Sequence, residues 1–279
     1  MQLCKVRRHD GKIAAGVLTD GRVRPFRQPT RLSDVLHAAD PGALARSLSE
    51  PGDGIAVEQL TMLAPVDSQE VWAAGVTYKR SKEAREEESA GAARFYDLVY
   101  KAQRPELFFK ATARRVVGPG EFVQIRGDAR WSVPEPEVAL VVSPALKIVG
   151  CTIGNDMSSR DIEGENPLYL PQAKVYNGSC ALGPVITLAE ALPPREQMAI
   201  RLTIRRAGAV AFEGSTSVAA MARTFEDLVS WLGRDNSFPD GVVLLTGTGL
   251  VPPDNFTLGH GDEIGIEVAG IGRLVNVVK

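Results

Sequence analysis

Two glutamates, Glu135 and Glu137, lie two residues apart immediately before the apolar run 138–142. In a β-strand, side chains two residues apart project from the same face, so these carboxylates would point in one direction about 7 Å apart along the backbone. The run that follows is apolar on both faces, which places the pair at the mouth of a buried region. A lone Glu-x-Glu pair is more often a solvated strand edge, but two converging carboxylates also suit one hard cation.

A third carboxylate belongs to the same pattern. Asp156 follows the next apolar run, and the turn-forming stretch 143–145 separates that run from the first. A hairpin would return Asp156 to a position beside Glu135 and Glu137. Three carboxylates completed by water molecules favour an octahedral site for Mg²⁺ or Mn²⁺.

One lysine is a candidate for proton transfer. The stretch 163–174 is rich in proline and glycine, which predicts an ordered loop that ends at Lys174. A lone lysine is usually solvated, but one delivered next to carboxylates and a cation suits acid–base chemistry. The three histidines have no partner at zinc-ligand spacing, so a zinc site is not expected.

Composition narrows the classes of partner. The chain has 279 residues and a net charge of -2, with a pI near 6.0, so no basic field attracts nucleic acid or a membrane surface. No apolar run could cross a bilayer, and the N-terminal residues lack the core of a signal peptide, so we expect a cytoplasmic protein. Cys4, Cys151 and Cys180 lack metal-type spacing and are expected to be reduced packing residues. A small molecule is the expected ligand.

The chain divides into two expected parts, a small N-terminal α+β module over residues 1–66 and a catalytic domain over residues 67–279. In the first part, Asp-Gly hairpin signals separate three short strand-like runs, and two short helical segments follow. In the second, residues 71–78 are strand-like. The charged segment 79–93 has helical composition but a weak apolar stripe, which is typical of either a mobile cover or a solvated helix.

The C-terminal third is expected to consist mainly of strands, with one helix. Thr224 and Asp227 form a capping pattern before apolar residues at helical spacing, and Gly233 suits the helix end. The turn 246–249, Thr-Gly-Thr-Gly, offers backbone N–H groups and hydroxyls for an anion. It lacks the lysine of a nucleotide-binding loop, so no nucleotide is inferred.

On the acidic triad, the run 150–161 and the turn 246–249, the chain resembles the fumarylacetoacetate hydrolase family over roughly residues 65–279. The resemblance implies a strand-rich α+β fold, a mixed β-sandwich or roll, and a homo-oligomer that is a dimer or tetramer. It implies that Glu135, Glu137 and Asp156 hold Mg²⁺, with Mn²⁺ or Ca²⁺ as alternatives. The cation would bind the C1 carboxylate and C2 carbonyl of a 2-oxo acid, with Lys174 at the reacting carbon.

One departure from the family pattern bears on the reaction. Hydrolytic members carry a histidine that activates water, and Ser81 occupies its position here. Serine has no comparable basicity, which argues against C–C hydrolysis. The segments that look most like the family members that dehydrate 2-keto-3-deoxy-D-arabinonate are 104–110, 166–174 and 251–257.

The resemblance therefore implies a hydro-lyase that converts a 2-keto-3-deoxy sugar acid, of the arabinonate or xylonate type, to 2,5-dioxopentanoate. Lys174 is the expected base at C3 and Glu106 the expected acid at the C4 hydroxyl, and the two roles are interchangeable at this stage. The alternatives are an acylpyruvate hydrolase or oxaloacetate-type decarboxylase of the same family, and a sugar-acid binding protein without turnover. Residues expected to bind the substrate are Thr248, Tyr78, Arg80 and Ser81.

Overall fold

The structure, a computed structural model, describes residues 1–78 and 98–279. Strands predominate among these residues, as the strand-rich α+β prediction requires. The strands are β1 (Gln2–Arg7), β2 (Ile13–Thr19), β3 (Arg22–Pro25), β4 (Ile55–Ala56), β5 (Thr61–Leu63), β6 (Glu70–Gly75), β7 (Glu106–Ala111), β8 (Val116–Val117), β9 (Phe122–Val123), β10 (Ser132–Val133), β11 (Pro136–Val142), β12 (Ile148–Asp156), β13 (Ser158–Ser159), β14 (Cys180–Leu188), β15 (Ala199–Arg206), β16 (Ala209–Ser217), β17 (Val242–Leu245), β18 (Glu263–Val268) and β19 (Gly272–Val278).

The helices of the described residues are short. The α-helices are α1 (Leu32–Leu36), α2 (Pro41–Leu48), α3 (Arg160–Glu165), α4 (Leu170–Lys174) and α5 (Phe225–Leu232), and residues 98–101 are also helical. Single 3-10 turns occur at Val57–Gln59, Ala113–Arg115, Pro167–Tyr169, Ala189–Ala191, Arg195–Gln197 and Val218–Ala220. Among the residues described, no helix combines the length and apolar character needed to span a bilayer.

The central hairpin lies inside a sheet of twelve strands. Along the main path the strand order is β4-β3-β2-β1-β14-β12-β11-β17-β6-β7, and β5 and β8 pair at its sides. Every residue of β11 is buried, because β12 and β17 flank it and both of its faces are covered. β11 and β12 pair antiparallel across the turn at residues 143–147, which confirms the predicted hairpin.

The N-terminal strands belong to this same sheet. β1, β2 and β3 form the expected meander, with Asp20, Gly21 and Gly11 at positive φ in its two turns. β1 also pairs with β14, and Leu3 shares a buried apolar cluster with Ile186. The division near residue 66 stays a prediction.

A second sheet covers one face of the first. Its five strands run β16-β15-β18-β19-β9, and Ile200 and Ile264 share the largest buried core cluster with Val138 and Leu140 of β11. At α5, Asp227 N–H donates to the Thr224 hydroxyl at 3.1 Å, which confirms the predicted helix start.

The strand expected over residues 71–78 ends earlier than predicted. β6 stops at Gly75 because Val76 has a φ of +52°, in the left-handed region. This conformation is rare for a β-branched residue and breaks the ladder. The charged segment 79–93, expected to form a cover, lies outside the described residues.

Candidate active site

The β11–β12 hairpin brings three carboxylates together. Glu135 precedes β11, and its backbone exchanges two hydrogen bonds with Asp156, the last residue of β12, at 3.0 and 3.2 Å. Glu137 pairs with Gly154 in the same register. One carboxylate oxygen each from Glu135, Glu137 and Asp156 lie within 4.8 Å of one another, and the residues are at most 4% exposed. The predicted convergence of the acidic residues is confirmed.

Burial and neighbouring charges oppose ionisation of Glu137. Burial, followed by repulsion from Asp156 and Glu135, raises the pKa of the Glu137 carboxyl well above its ordinary value. The backbone N–H of Gly247 partly offsets this effect by donating a 2.5 Å hydrogen bond to Glu137 Oε2. The glycine-rich turn predicted to bind an anion therefore binds a carboxylate of the protein itself.

Lys174 lies against two of the three carboxylates. Its Nζ is 2.8 Å from Glu135 Oε2 and 3.2 Å from Asp156 Oδ2, and it donates to Ser158 Oγ at 2.5 Å. Lys174 is 1% exposed. The lysine identified from the sequence is thus buried at the acidic triad and lines the adjoining cavity.

Two further buried cations complete the charge balance. Arg160 Nη2 donates to Glu135 Oε1 at 2.7 Å, and Lys110 Nζ lies 2.5 Å from Asp156 Oδ1. Three cationic side chains therefore accompany three carboxylates in this part of the described chain. Each buried charge has an opposite charge in contact or close by, which limits the desolvation penalty of the cluster.

The stretch that delivers Lys174 is helical rather than the loop expected from its composition. α3, a 3-10 turn and α4 follow one another between residues 160 and 174. Pro167 and Pro171 occupy first-turn positions, where a missing N–H breaks no helical hydrogen bond. Asn166 caps the 3-10 turn by accepting from Leu168 N–H at 2.9 Å. The prediction was wrong because these prolines start short helices.

A small cavity opens beside the carboxylates. It is narrow, with a volume of about 10 Å³, and its walls include Gly75, Val76 and Phe108 together with Lys174 and the turn after β17. The Phe108 ring lies 5.8 Å from Lys174 Nζ. The cavity therefore has the Lys174 amine and an apolar ring among its walls.

The pairing of β6 with β7 places Glu106 next to the cavity, opposite Gly75 in the strand register. A Cβ at Gly75 would lie 2.1 Å from Glu106 Oε2. The Glu106 carboxylate therefore rests directly against a backbone that lines the cavity. Its role as a proton donor stays a prediction.

Two of the four predicted substrate-binding residues, Thr248 and Tyr78, lie within the described part of the chain. Thr248 lines the cavity, but its hydroxyl is 3.2 Å from both Leu250 O and Leu250 N in its own turn. Tyr78 is buried next to this turn, and burial, followed by the charge of Glu137, raises the pKa of its phenol. Arg80 and Ser81 lie outside the described residues. The binding roles of these four residues stay predictions.

Sequence reasoning gave no role to Lys110 or Arg160. Arg160 stood within the run that carries the family resemblance, and its position four residues after Asp156 was a usable signal. Lys110 ends the segment 104–110, whose family resemblance assigned it no role of its own. A lysine in an apolar strand has no pattern that distinguishes a buried ion pair from a side chain reaching solvent.

The donor set suits a hard divalent cation. Three carboxylates provide oxygen ligands of the kind that Mg²⁺, Mn²⁺ and Ca²⁺ prefer. The nearby thiol of Cys180 offers no thiolate ligand, since burial raises its pKa to about 12. Glu135, Glu137 and Asp156 would hold the cation, and it would offset the repulsion that raises the pKa of Glu137.

Several known proteins are similar to this chain in sequence and in fold. The family described as "Fumarylacetoacetate (FAA) hydrolase C-terminal" matches residues 70–279. The chain is 44% identical over 261 residues to the "Probable 2-keto-3-deoxyxylonate dehydratase" of Haloferax volcanii, covering 93% of this chain and 89% of that protein. It is 43% identical over 226 residues to the "2-dehydro-3-deoxy-D-arabinonate dehydratase" of Saccharolobus solfataricus, covering 80% and 76% of the two chains.

A solved structure extends the likeness to the whole fold. It is described as "2-keto-3-deoxy-D-arabinonate dehydratase complexed with magnesium and 2,5-dioxopentanoate", with a TM-score of 0.88, 35% identity, and coverage of 100% of this chain and 99% of that one. The strand-rich fold expected from the resemblance is confirmed. The match over residues 70–279 and the relatives above 40% identity establish that the chain belongs to the fumarylacetoacetate hydrolase family.

Proposed function

We propose that the protein is a magnesium-dependent hydro-lyase that converts a 2-keto-3-deoxypentonate, of the arabinonate or xylonate type, to 2,5-dioxopentanoate. The observation that carries the proposal is a buried lysine amine in contact with two of three converging carboxylates at a small cavity. Two relatives above 40% identity are named as dehydratases of such acids, and a structural relative binds magnesium and 2,5-dioxopentanoate.

The overall reaction removes one molecule of water. A proton leaves C3, the hydroxyl leaves C4, and proton shifts convert C5 from an alcohol to an aldehyde. When bound, Mg²⁺ supplies Lewis acidity that stabilises the negative charge developing on the 2-oxo group. The protein must then supply a base for the C3 proton and an acid for the departing hydroxyl.

Lys174 and Glu106 are proposed for these two roles. Lys174 has its amine at the cavity, held by Glu135 and Ser158, so it is fixed in place before substrate arrives. Glu106 is two residues from Phe108 on β7 and so shares its face, and its carboxylate lies against Gly75, which lines the cavity. We assign the C3 proton to Lys174 and the C4 hydroxyl to Glu106.

Product analysis tests the reaction. The purified protein is incubated with Mg²⁺ and a panel of 2-keto-3-deoxy acids and acylpyruvates, and the products are identified by mass spectrometry. We expect loss of water from 2-keto-3-deoxypentonates and little cleavage of acylpyruvates. Efficient acylpyruvate cleavage would favour the hydrolase alternative, and metal-dependent binding without any product would favour a binding protein.

Three broader statements stay predictions alongside this function. They are the assembly of the chain as a homo-oligomer, its location in the cytoplasm, and the division into residues 1–66 and 67–279. Light scattering on the eluting protein tests the first, cell fractionation the second and limited proteolysis the third.

A further inference from the structure

Lys110 is a fully buried lysine that the proposed reaction does not use. Its side chain is 0% exposed, and its Nζ has three oxygen neighbours: Asp156 Oδ1 at 2.5 Å, Met157 O at 3.0 Å and Lys174 O at 2.5 Å. The ammonium group donates hydrogen bonds to the two backbone carbonyls and forms an ion pair with the Asp156 carboxylate. Unlike Lys174, Lys110 is not among the described residues that line the cavity, so it is not placed to give a proton to a bound molecule or to take one from it.

The three oxygens around Lys110 Nζ belong to two parts of the site that must be aligned, the metal-binding hairpin and the helix that carries Lys174. Asp156 is a candidate metal ligand, and Met157 O continues the same backbone. Lys174 O is the backbone carbonyl of the candidate base, at the C-terminal end of α4, where a cation is electrostatically favoured. One ammonium group thus links the metal-binding hairpin to the helix that carries the base.

A local irregularity of β7 directs the Lys110 side chain into this position. Val71 pairs with Ala111 and Trp72 pairs with Phe109, so Lys110 is an extra residue with no register partner on β6. Bulges of this kind re-aim a side chain, and they are common beside active sites. The bulge lies on the strand that also carries Phe108 and Glu106, so the same anchor fixes β7 against the site.

We propose that Lys110 is a positioning residue: its ammonium group holds the metal ligand Asp156 and the backbone of Lys174 in the relative geometry that proton transfer requires. The consequence for turnover rests on the proposed dehydratase function, but the anchoring itself does not. A misplacement of about 1 Å between reacting groups can lower turnover by about a hundredfold. Substrate binding at the metal depends less on the position of Lys174.

The test compares Lys110→Gln with a matched control, Lys5→Gln. Lys5 has partners of the same kind, one carboxylate and one carbonyl (Asp67 Oδ1 at 2.7 Å and Val66 O at 2.6 Å), but lies outside the site. In Lys110→Gln we expect kcat to fall by about fiftyfold or more while KM changes less than fivefold at saturating Mg²⁺. In Lys5→Gln we expect kcat within twofold of the wild type.

A second measurement is independent of turnover. Hydrogen exchange of the metal-free proteins, followed by mass spectrometry, reports the hydrogen bond from Val175 N–H to Pro171 O in α4. We expect exchange there to rise about fivefold or more in Lys110→Gln and to stay unchanged in Lys5→Gln. Unchanged exchange in Lys110→Gln, or a kcat within threefold of the wild type, would overturn the proposal.

Lys110→Arg replaces Lys110→Gln in these measurements if the glutamine variant does not fold. Arginine retains the charge opposite Asp156 but places its donors in a planar fork. We expect a folded protein with kcat lowered about tenfold or more, and full turnover would contradict the positioning role. If the wild type itself does not dehydrate any 2-keto-3-deoxypentonate, the proposed function fails, and the exchange measurement still decides whether Lys110 anchors α4.

Discussion

Glu135 and Asp156 each contact cationic side chains, whereas Glu137 is held by the backbone N–H of Gly247. The raised pKa of Glu137 means that the folded, metal-free protein holds a proton there more tightly than the unfolded chain does. The protonated Glu137 carboxyl therefore contributes to the free energy of unfolding. This contribution is fully present below pH 4.5, the ordinary pKa, and is lost as the pH rises through the pKa of the folded protein.

Glu137→Gln therefore separates stability from metal binding. In the metal-free variant, we expect the unfolding free energy to fall less steeply as the pH rises than it does in the wild type. The reason is that the glutamine side chain cannot ionise. We also expect the rise in melting temperature on adding Mg²⁺ to disappear, since one ligand has lost its charge. Thermal unfolding from pH 5 to 8, with and without Mg²⁺, measures both effects. A wild-type Mg²⁺ shift in the variant would show that Glu137 is not a ligand.

The roles of Lys174 and Glu106 are distinguished by isotope exchange. Lys174→Met keeps much of the aliphatic stem but removes the amine, so it should still bind Mg²⁺ while turnover falls by about a hundredfold or more. In deuterated water, Glu106→Gln should still exchange the C3 proton of recovered substrate if that step is reversible, but should not dehydrate it. Loss of exchange in Glu106→Gln together with retained exchange in Lys174→Met would reverse the assignment.

At this scale, residue type and spacing were enough to predict the acidic triad, whereas the position of Lys174 beside it was implied by the family resemblance. Alternation along a strand and the return of a hairpin depend only on local geometry. The convergence of Glu135, Glu137 and Asp156 could therefore be predicted from the sequence. Lys110 could not, because its direction depends on a bulge opposite Val71 and Trp72. Such a bulge arises from tertiary packing rather than from the local pattern.

At the scale of elements, the pairing of β6 with β7 places Gly75 under Glu106. A Cβ at Gly75 would lie 2.1 Å from Glu106 Oε2 and 2.6 Å from its carboxyl carbon, so Gly75→Ala must displace the end of this flexible side chain. We expect turnover to fall about tenfold or more while the Kd for Mg²⁺ stays within twofold. Calorimetric titration and initial rates provide the two values, and unchanged turnover would argue against a catalytic position for Glu106.

Element boundaries were predictable where local chemistry determines them. The Thr224 cap and the Asp-Gly turns are examples, because their hydrogen bonds and positive φ angles are properties of those residues. The end of β6 was not predictable, since Val76 is a strand-favouring residue that the surrounding structure holds at a φ of +52°. Strain of this kind is typical of positions beside a functional site.

At the scale of the whole molecule, the N-terminal residues complete the sheet that carries the site. β1 pairs with β14, and Leu3 and Val17 share a buried cluster with Ile186 and Leu188. We expect the fragment 67–279 to be unfolded or aggregated, because removing residues 1–66 exposes a sheet edge and this apolar surface. Circular dichroism and gel filtration would test this, and a monodisperse, active fragment would show that the catalytic domain folds alone.

The dependence of dehydration on Mg²⁺ is the most direct test of the proposed function. Metal-stripped protein is mixed with 2-keto-3-deoxy-D-arabinonate in chelator, and proton NMR follows the aldehyde signal of 2,5-dioxopentanoate before and after an excess of Mg²⁺ is added. We expect no product in chelator, product formation once Mg²⁺ is present, and no recovery in Glu137→Gln. Undiminished formation of 2,5-dioxopentanoate in chelator, or cleavage of the carbon chain in place of loss of water, would contradict a metal-dependent dehydratase.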